Sequence, residues 1–93
     1  MLTKINAGGV ESDEGFSIQI TGPETLKYQN GDFSVEIDLE YDAKLRKIYV
    51  HISGLSNWDR FVGDQQINKD QKSQLIRNIT ESIKLLKGNF EIV

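Results

Sequence analysis

The residues with the strongest claim to chemistry are three acids and a histidine. Glu36, Asp38 and Glu40 stand at i, i+2 and i+4, and His51 is the only histidine among 93 residues. A histidine beside a carboxylate can act as a general base, and paired carboxylates can share a proton or hold a cation. On an extended strand, however, residues two apart are about 6.5–7 Å apart, too far for one ion to bridge unaided. No nucleophile is placed beside His51 by spacing, so His51 opposite Glu36 reads as a solvated cross-strand contact. The Glu11-Ser-Asp13-Glu14-Gly15 cluster lacks the alternating ligands and terminal glutamate of a calcium loop. Gly8-Gly9 has no Lys-Ser/Thr after it and no helix to open, as a phosphate loop would. The chain has no cysteine, which removes disulfides, thiolate metal sites and cysteine nucleophiles, and one histidine falls short of the usual zinc sets. The expectation is a protein that is not an enzyme and takes no cofactor and no metal.

The elements that must position these side chains follow from periodicity. Residues 6–15, rich in glycine and acids without a period, read as a loop. Phe16, Ile18 and Ile20 alternate with polar residues, as do Leu26 and Tyr28, then Phe33 through Tyr41, then Ile48, Val50 and Ile52. This is the period of half-buried strands. Asn30-Gly31 predicts a type I′ turn, pairing Tyr28 with Phe33 and Leu26 with Val35. A turn centred on Ala43-Lys44 pairs Leu39 with Ile48, Glu40 with Lys47 and Glu36 with His51. From Asn68 the period changes to that of a helix, with Leu75, Ile76, Ile79, Ile83 and Leu86 as its stripe. Asn68 and Gln71 are spaced as a capping box, Gly88 is placed for C′, and the helix is expected from about Lys69 to Lys87. Phe90-Glu91-Ile92-Val93 reads as a short last strand that pairs with a sheet edge. The expected fold class is α+β in a single domain, residues 1–93: an antiparallel four-stranded β-meander, one C-terminal helix packed on its apolar face, and a short final β-strand.

The remaining segment, Gly54–Ile67, is long for a connector in a domain this small, and such loops tend to carry function. It holds the chain's only tryptophan, Trp58, beside Asp59, Arg60, Phe61 and Asp64. Trp58 and Phe61 can plug the end of the sheet–helix core or stand at the surface as interface anchors, or divide the two roles with Trp58 inside and Phe61 or Arg60 outward, so Trp58 stays open between core and interface. The candidate partner-binding set is therefore Glu36, Asp38, Tyr49, Trp58, Asp59, Arg60, Phe61 and Asp64. Charge asymmetry along the chain can mark a polar partner surface, or mean nothing once the halves interleave in the fold. The net charge is −3 and the pI near 5.0, which argues against non-specific nucleic-acid binding. Residues 1–42 hold nine of the 14 acids and only two of the 11 bases, and the helix is basic, with Lys69, Lys72, Arg77, Lys84 and Lys87. No apolar run is long enough to span a membrane, and Met1-Leu-Thr-Lys has no signal-peptide core. The expected location is cytoplasmic, with no membrane partner.

The stretch from Tyr49 onward, Tyr-Val-His-Ile-Ser-Gly-Leu-Ser-Asn-Trp58-Asp59, a short polar loop, Ile67-Asn-Lys-Asp-Gln-Lys72, then Ile76, Asn78-Ile79 and Gly88-x-Phe-Glu, resembles the immunity protein 74 family. That resemblance covers the C-terminal half and implies a small bacterial protein, encoded beside a polymorphic or contact-dependent toxin, that neutralises the cognate toxin domain without catalysis. A nuclease toxin would suit the acidic N-terminal half, whose carboxylates would occupy a nucleic-acid site and steer association. The alternative is a small single-stranded nucleic-acid-binding module using the open sheet face, where Lys47, Tyr49 and His51 would stand together. The neighbouring acids and the lack of a basic, aromatic-rich groove count against it. Monomer and dimer are both open.

Overall fold

The alternating residues of the sequence become strands of one sheet in the computed structural model, which describes residues 1–86 and 88–93. The elements are β1 (Leu2–Asn6), β2 (Gly9–Ser12), β3 (Phe16–Gly22), β4 (Thr25–Asn30), β5 (Phe33–Asp42), β6 (Lys47–His51), α1 (Lys69–Ile83) and β7 (Phe90–Ile92). All seven strands join a single curled sheet in chain order. Each pair is antiparallel except β6 with β7, which is parallel because α1 carries the chain back to the same end. The α+β class with one helix stands. The four expected strands form β3–β6, the middle of a larger sheet.

The first correction concerns residues 6–15, expected as a loop. Residues 6–12 of that stretch form the β1–β2 hairpin with residues 2–5, its second strand adding Val10 to the core opposite Ile18, while residues 13–15 turn the chain into β3. The hairpin shows no clean alternation because β1 is an edge strand with mostly exposed side chains. A Cβ on Gly9 would collide with Gln19 Oε1 and crowd Asn6 Oδ1. Glycine there lets Asn6 Nδ2 reach across β2 to donate to Gln19 Oε1 at 2.9 Å.

The second correction concerns register. Asn30 pairs with Phe33, Tyr28 with Val35 and Leu26 with Ile37, two residues from the expected alignment. The turn residues are Gly31-Asp32 rather than Asn30-Gly31. Only Gly31 has positive φ, at 60°, the pattern of a type II′ turn, which also follows the sheet's twist. Likewise Leu39 pairs with Val50, Glu40 with Tyr49, Asp42 with Lys47 and Asp38 with His51. The connecting loop has four residues. Asp42 Oδ1 accepts from the Lys44 and Leu45 amides at 2.9 and 3.2 Å, and Arg46 takes φ 50°. Both shifts are even, so each strand keeps its expected faces.

One face is apolar and buried: Val10, Ile18, Leu26, Tyr28, Val35, Ile37, Leu39, Val50 and Ile52, covered by Leu75, Ile79 and Leu86. Each fully buried aliphatic side chain here contributes about 1.5–3 kcal/mol. The helix begins as expected, with Asn68 Oδ1 accepting from the Gln71 amide at 2.8 Å and Gln71 Oε1 accepting from the Asn68 amide at 3.0 Å. It ends at Ile83 with Lys84 as C-cap, so Gly88 is not its C′ residue; the expected end at Lys87 lies outside the described residues. Its buried stripe is Leu75, Asn78, Ile79 and Ser82. Ile76 is 37% exposed, because two polar residues take the places that an apolar stripe would have given it. Ile79→Ala should therefore lower unfolding stability by about 3 kcal/mol, whereas Ile76→Ala should cost about 0.5 kcal/mol or less. Urea unfolding of the two variants checks the helix rotation; equal losses would contradict it.

Candidate partner-binding face

Because α1 covers only the apolar face, the opposite face of the sheet has no partner within the described chain. Period-two alternation puts Glu36, Asp38 and Glu40 of β5 there, with Lys27 of β4 beside Glu36 and with Tyr49 and His51 of β6 beside Glu40 and Asp38. His51 Nε2 lies 3.0 Å from Glu40 Oε1, a diagonal contact, although Asp38 is its directly opposed neighbour. The expected His51–Glu36 and Lys47–Glu40 pairs do not form. Instead Lys47 Nζ reaches Glu91 Oε1 of β7 at 3.4 Å and sits 5.9 Å from the centroid of the Tyr49 ring. The face thus has acids in excess of Lys27 and Lys47. Glu36, Asp38, Glu40 and His51, with Ser53–Leu55 at its side, line a shallow depression of about 550 Å³. Among the described residues, no group of three or more histidine, aspartate or glutamate side chains is arranged to hold a metal ion.

The loop between β6 and α1 adjoins this face. Trp58 N donates to Gln65 O at 2.8 Å and Ile67 N to Ser56 O at 2.8 Å, which closes residues 57–66 into a lobe based on an Asn57–Gln66 bridge. The lobe is stitched to β5. Ser34 N donates to Arg60 O at 2.9 Å, and the Asp59 and Arg60 amides donate to Ser34 O at 2.8 and 3.1 Å. The Asp59 carboxylate extends the seam by accepting the Glu36 amide at 2.7 Å. The strap on the other side is Lys72, whose ammonium donates to the Ser53 and Leu55 carbonyls at 3.1 and 3.2 Å. Lys72 therefore fixes the start of the loop to the helix and does not belong to a free basic surface.

These bonds sort the candidate residues. Trp58 is 3% exposed, its ring centroid 5.2 Å from that of Phe33 and 6.2 Å from that of Tyr28, with Nε1 donating to Gln71 Oε1 at 3.3 Å. It is a core residue. Arg60, Phe61 and Asp64 are exposed, Phe61 at 41%, and Asp64 Oδ1 accepts the Gln66 amide at 3.0 Å. Glu36 and Asp38 are exposed and Tyr49 is half-buried. Glu36, Asp59 and Arg60 are brought together along one edge, while Tyr49 stands two strand-steps away, beside Glu40.

The chain matches no family model, no curated protein and no solved structure. Geometry alone therefore ranks the surfaces. Spacing gave no sign that Asp59 would cap the β5 edge or that Lys72 would strap the loop, because both depend on contacts 17 or more residues away. Glu40 belongs with the candidate set through its contact with His51, and its place in the same alternating run as Glu36 and Asp38 was the available signal. No helix among the described residues is long and apolar enough to cross a membrane.

Asp59 is consequently a structural residue at the edge of the candidate face. Asp59→Ala should cost about 1–2 kcal/mol by leaving the Glu36 amide without its acceptor, and should speed hydrogen exchange at that amide by about tenfold. Asp59→Asn should retain part of both. Native-state exchange measured residue by residue checks this; unchanged protection at Glu36 in Asp59→Ala would contradict it.

Proposed function

We propose that this chain is a bacterial immunity protein that binds a cognate polymorphic or contact-dependent toxin domain and neutralises it by occlusion, without catalysis. The observation that carries the reading is the asymmetry of the sheet. One face is sealed by α1, and the other is unpartnered, acidic and continuous with an exposed loop tip at Phe61–Asp64. A stoichiometric inhibitor needs a rigid complementary surface and no reacting group, and a main-chain-stitched lobe on a seven-stranded sheet is rigid. The resemblance of residues 49–91 to the immunity protein family supplies the partner class. The acidic excess around Glu36, Asp38 and Glu40 suits a toxin with a basic active-site cleft, such as a nuclease, and would raise the association rate by steering. Trp58 contributes by holding the lobe from beneath, so Arg60, Phe61 and Asp64 are the side chains left to touch the partner. The compartment that fits this reading is the cytoplasm, where an incoming toxin would act.

The competing use of the same face, single-stranded nucleic-acid binding, has Tyr49 with Lys47 over its ring in its favour. Glu40 and Glu91 on either side of Tyr49 would repel a phosphate backbone. The test is binding to the toxin-like product of the adjacent reading frame, measured with the double variant Glu36→Lys, Asp38→Lys, which spares Asp59. Association should slow by about tenfold and lose most of its dependence on salt, with the circular-dichroism spectrum unchanged. Unaltered rates would remove the sheet face from the interface. A low-salt gel shift with single-stranded probes would turn the reading toward nucleic acid.

A further inference from the structure

A second concavity lies away from the acidic depression, where the Gly31-Asp32 turn, Trp58 and the first two turns of α1 meet. Its volume is about 330 Å³, the low end of the range for ligand pockets and the scale of a single side chain rather than a cofactor. We infer that this cavity is a socket for a guanidinium group, carried by an arginine side chain of the protein partner. The inference deepens the proposed function by naming what the partner inserts, and it rests on that reading for the source of the arginine.

The lining decides the chemistry. The inner wall is aromatic: Tyr28 is 1% and Trp58 3% exposed, and Phe33 is half-buried. The polar lining carries one charged group, three side-chain amides and a tyrosine hydroxyl. Asp32 in the turn brings a carboxylate, and no lysine or arginine lines the cavity. Asn30 donates through Nδ2 to Tyr28 Oη at 3.2 Å, which leaves its Oδ1 as the group to offer a ligand. Gln71 Oε1 is held by two donors, Trp58 Nε1 at 3.3 Å and the Asn68 amide at 3.0 Å, so this side chain is fixed before anything binds. Gln74, one helical step further, completes the rim.

An anion would meet Asp32 and no compensating base. A sugar or nucleobase would need an open aromatic face to stack on, and Trp58 is packed between Tyr28 and Phe33. A guanidinium brings five N–H donors in one plane to a site whose one charged group is the Asp32 carboxylate, with the amide oxygens of Asn30 and Gln74 as further acceptors. It is also more weakly hydrated than an ammonium, so it loses less on entering a socket walled by aromatic carbon. The position fits a protein partner, because Phe33 in the wall precedes Ser34, the residue to which the exposed Arg60 segment is stitched.

The test is an NMR titration of the whole chain with N-acetyl-arginine amide, run beside N-acetyl-lysine amide and N-acetyl-leucine amide. The arginine probe should shift Trp58 Nε1–H and the side-chain amides of Asn30, Gln71 and Gln74, saturating with a dissociation constant on the order of millimolar. Asp32→Asn should weaken that binding by about tenfold and Gln74→Leu by about threefold, with the rest of each spectrum superimposable on the parent. Absence of these shifts, equal binding of the lysine or leucine probe, or an Asp32→Asn titration identical to the parent would each overturn the socket. The titration needs no toxin, so its failure is separate from a failure of the sheet-face variants to slow association.

Discussion

β5 is ten residues long and β6, beside it, only five. β4 lines one edge of β5 from Phe33 to Asp38, but β6 pairs only from Asp38 to Asp42. The main-chain groups of Ser34 and Glu36 on the β6 side would otherwise stand open, inviting water or a foreign strand. The loop after β6 closes that gap with Asp59 and Arg60. Closing it fixes the adjoining Trp58 against Phe33 and Tyr28, and Trp58 in turn donates to Gln71 in the first turn of α1. The mismatch in strand length thus sets the shape of the loop, the seat of the tryptophan and the position of the helix start.

The helix is fixed a second time, by polar groups. Asn78 Nδ2 donates to Tyr28 Oη at 2.9 Å and Ser82 Oγ to Asn78 O at 2.8 Å, all within the buried interface. Aliphatic side chains tolerate sliding and repacking, whereas a buried amide without its partner costs about 1–3 kcal/mol. Asn78 can therefore rest only where the tyrosine hydroxyl is. That anchor, five residues from each end of the helix or more, holds Gln71 and Gln74 over the Gly31-Asp32 turn. The cavity there is a by-product of two separate constraints, one from the loop and one from the helix.

These constraints explain what could be read in the sequence. Faces were legible, because alternation from Phe16 to His51 fixes which side chains point inward. Register was not, since a shift of two leaves every face unchanged and only turn chemistry can distinguish the alternatives. Asn30-Gly31 satisfies the rule for one hairpin turn and Gly31-Asp32 for another, and the chain takes the second. The capping box at Asn68–Gln71 was legible because it is local. The β1–β2 hairpin was not, because an exposed edge pair is held by main-chain bonds and a glycine contact and leaves little trace in hydropathy. The buried stripe of α1 misled at Ile76 for a related reason: Asn78 and Ser82 are polar by type and buried by partnership. Of the candidate site, the shared face of Glu36, Asp38 and Tyr49 came from periodicity, while the structural duties of Trp58 and Asp59 needed the fold.

The same seam also divides labour within the loop between β6 and α1. Its base is held by main-chain bonds at Asn57–Gln66 and Ser34–Arg60, which constrain no side chain. Side-chain requirements fall on Trp58 and Asp59, which face the core and the β5 edge. Phe61, Val62 and Asp64 at the tip carry none of the stitching to β5, and Gly63 with φ 85° gives the tip its reversal. A lobe built this way can exchange Phe61 and Val62 without losing its shape. The acids of β5 stand on the other side of that seam, on a strand whose inward residues carry the core. The exposed acids of β5 and the tip residues Phe61 and Val62 are thus side chains that the fold does not need, with the fold's own requirements directly beneath them.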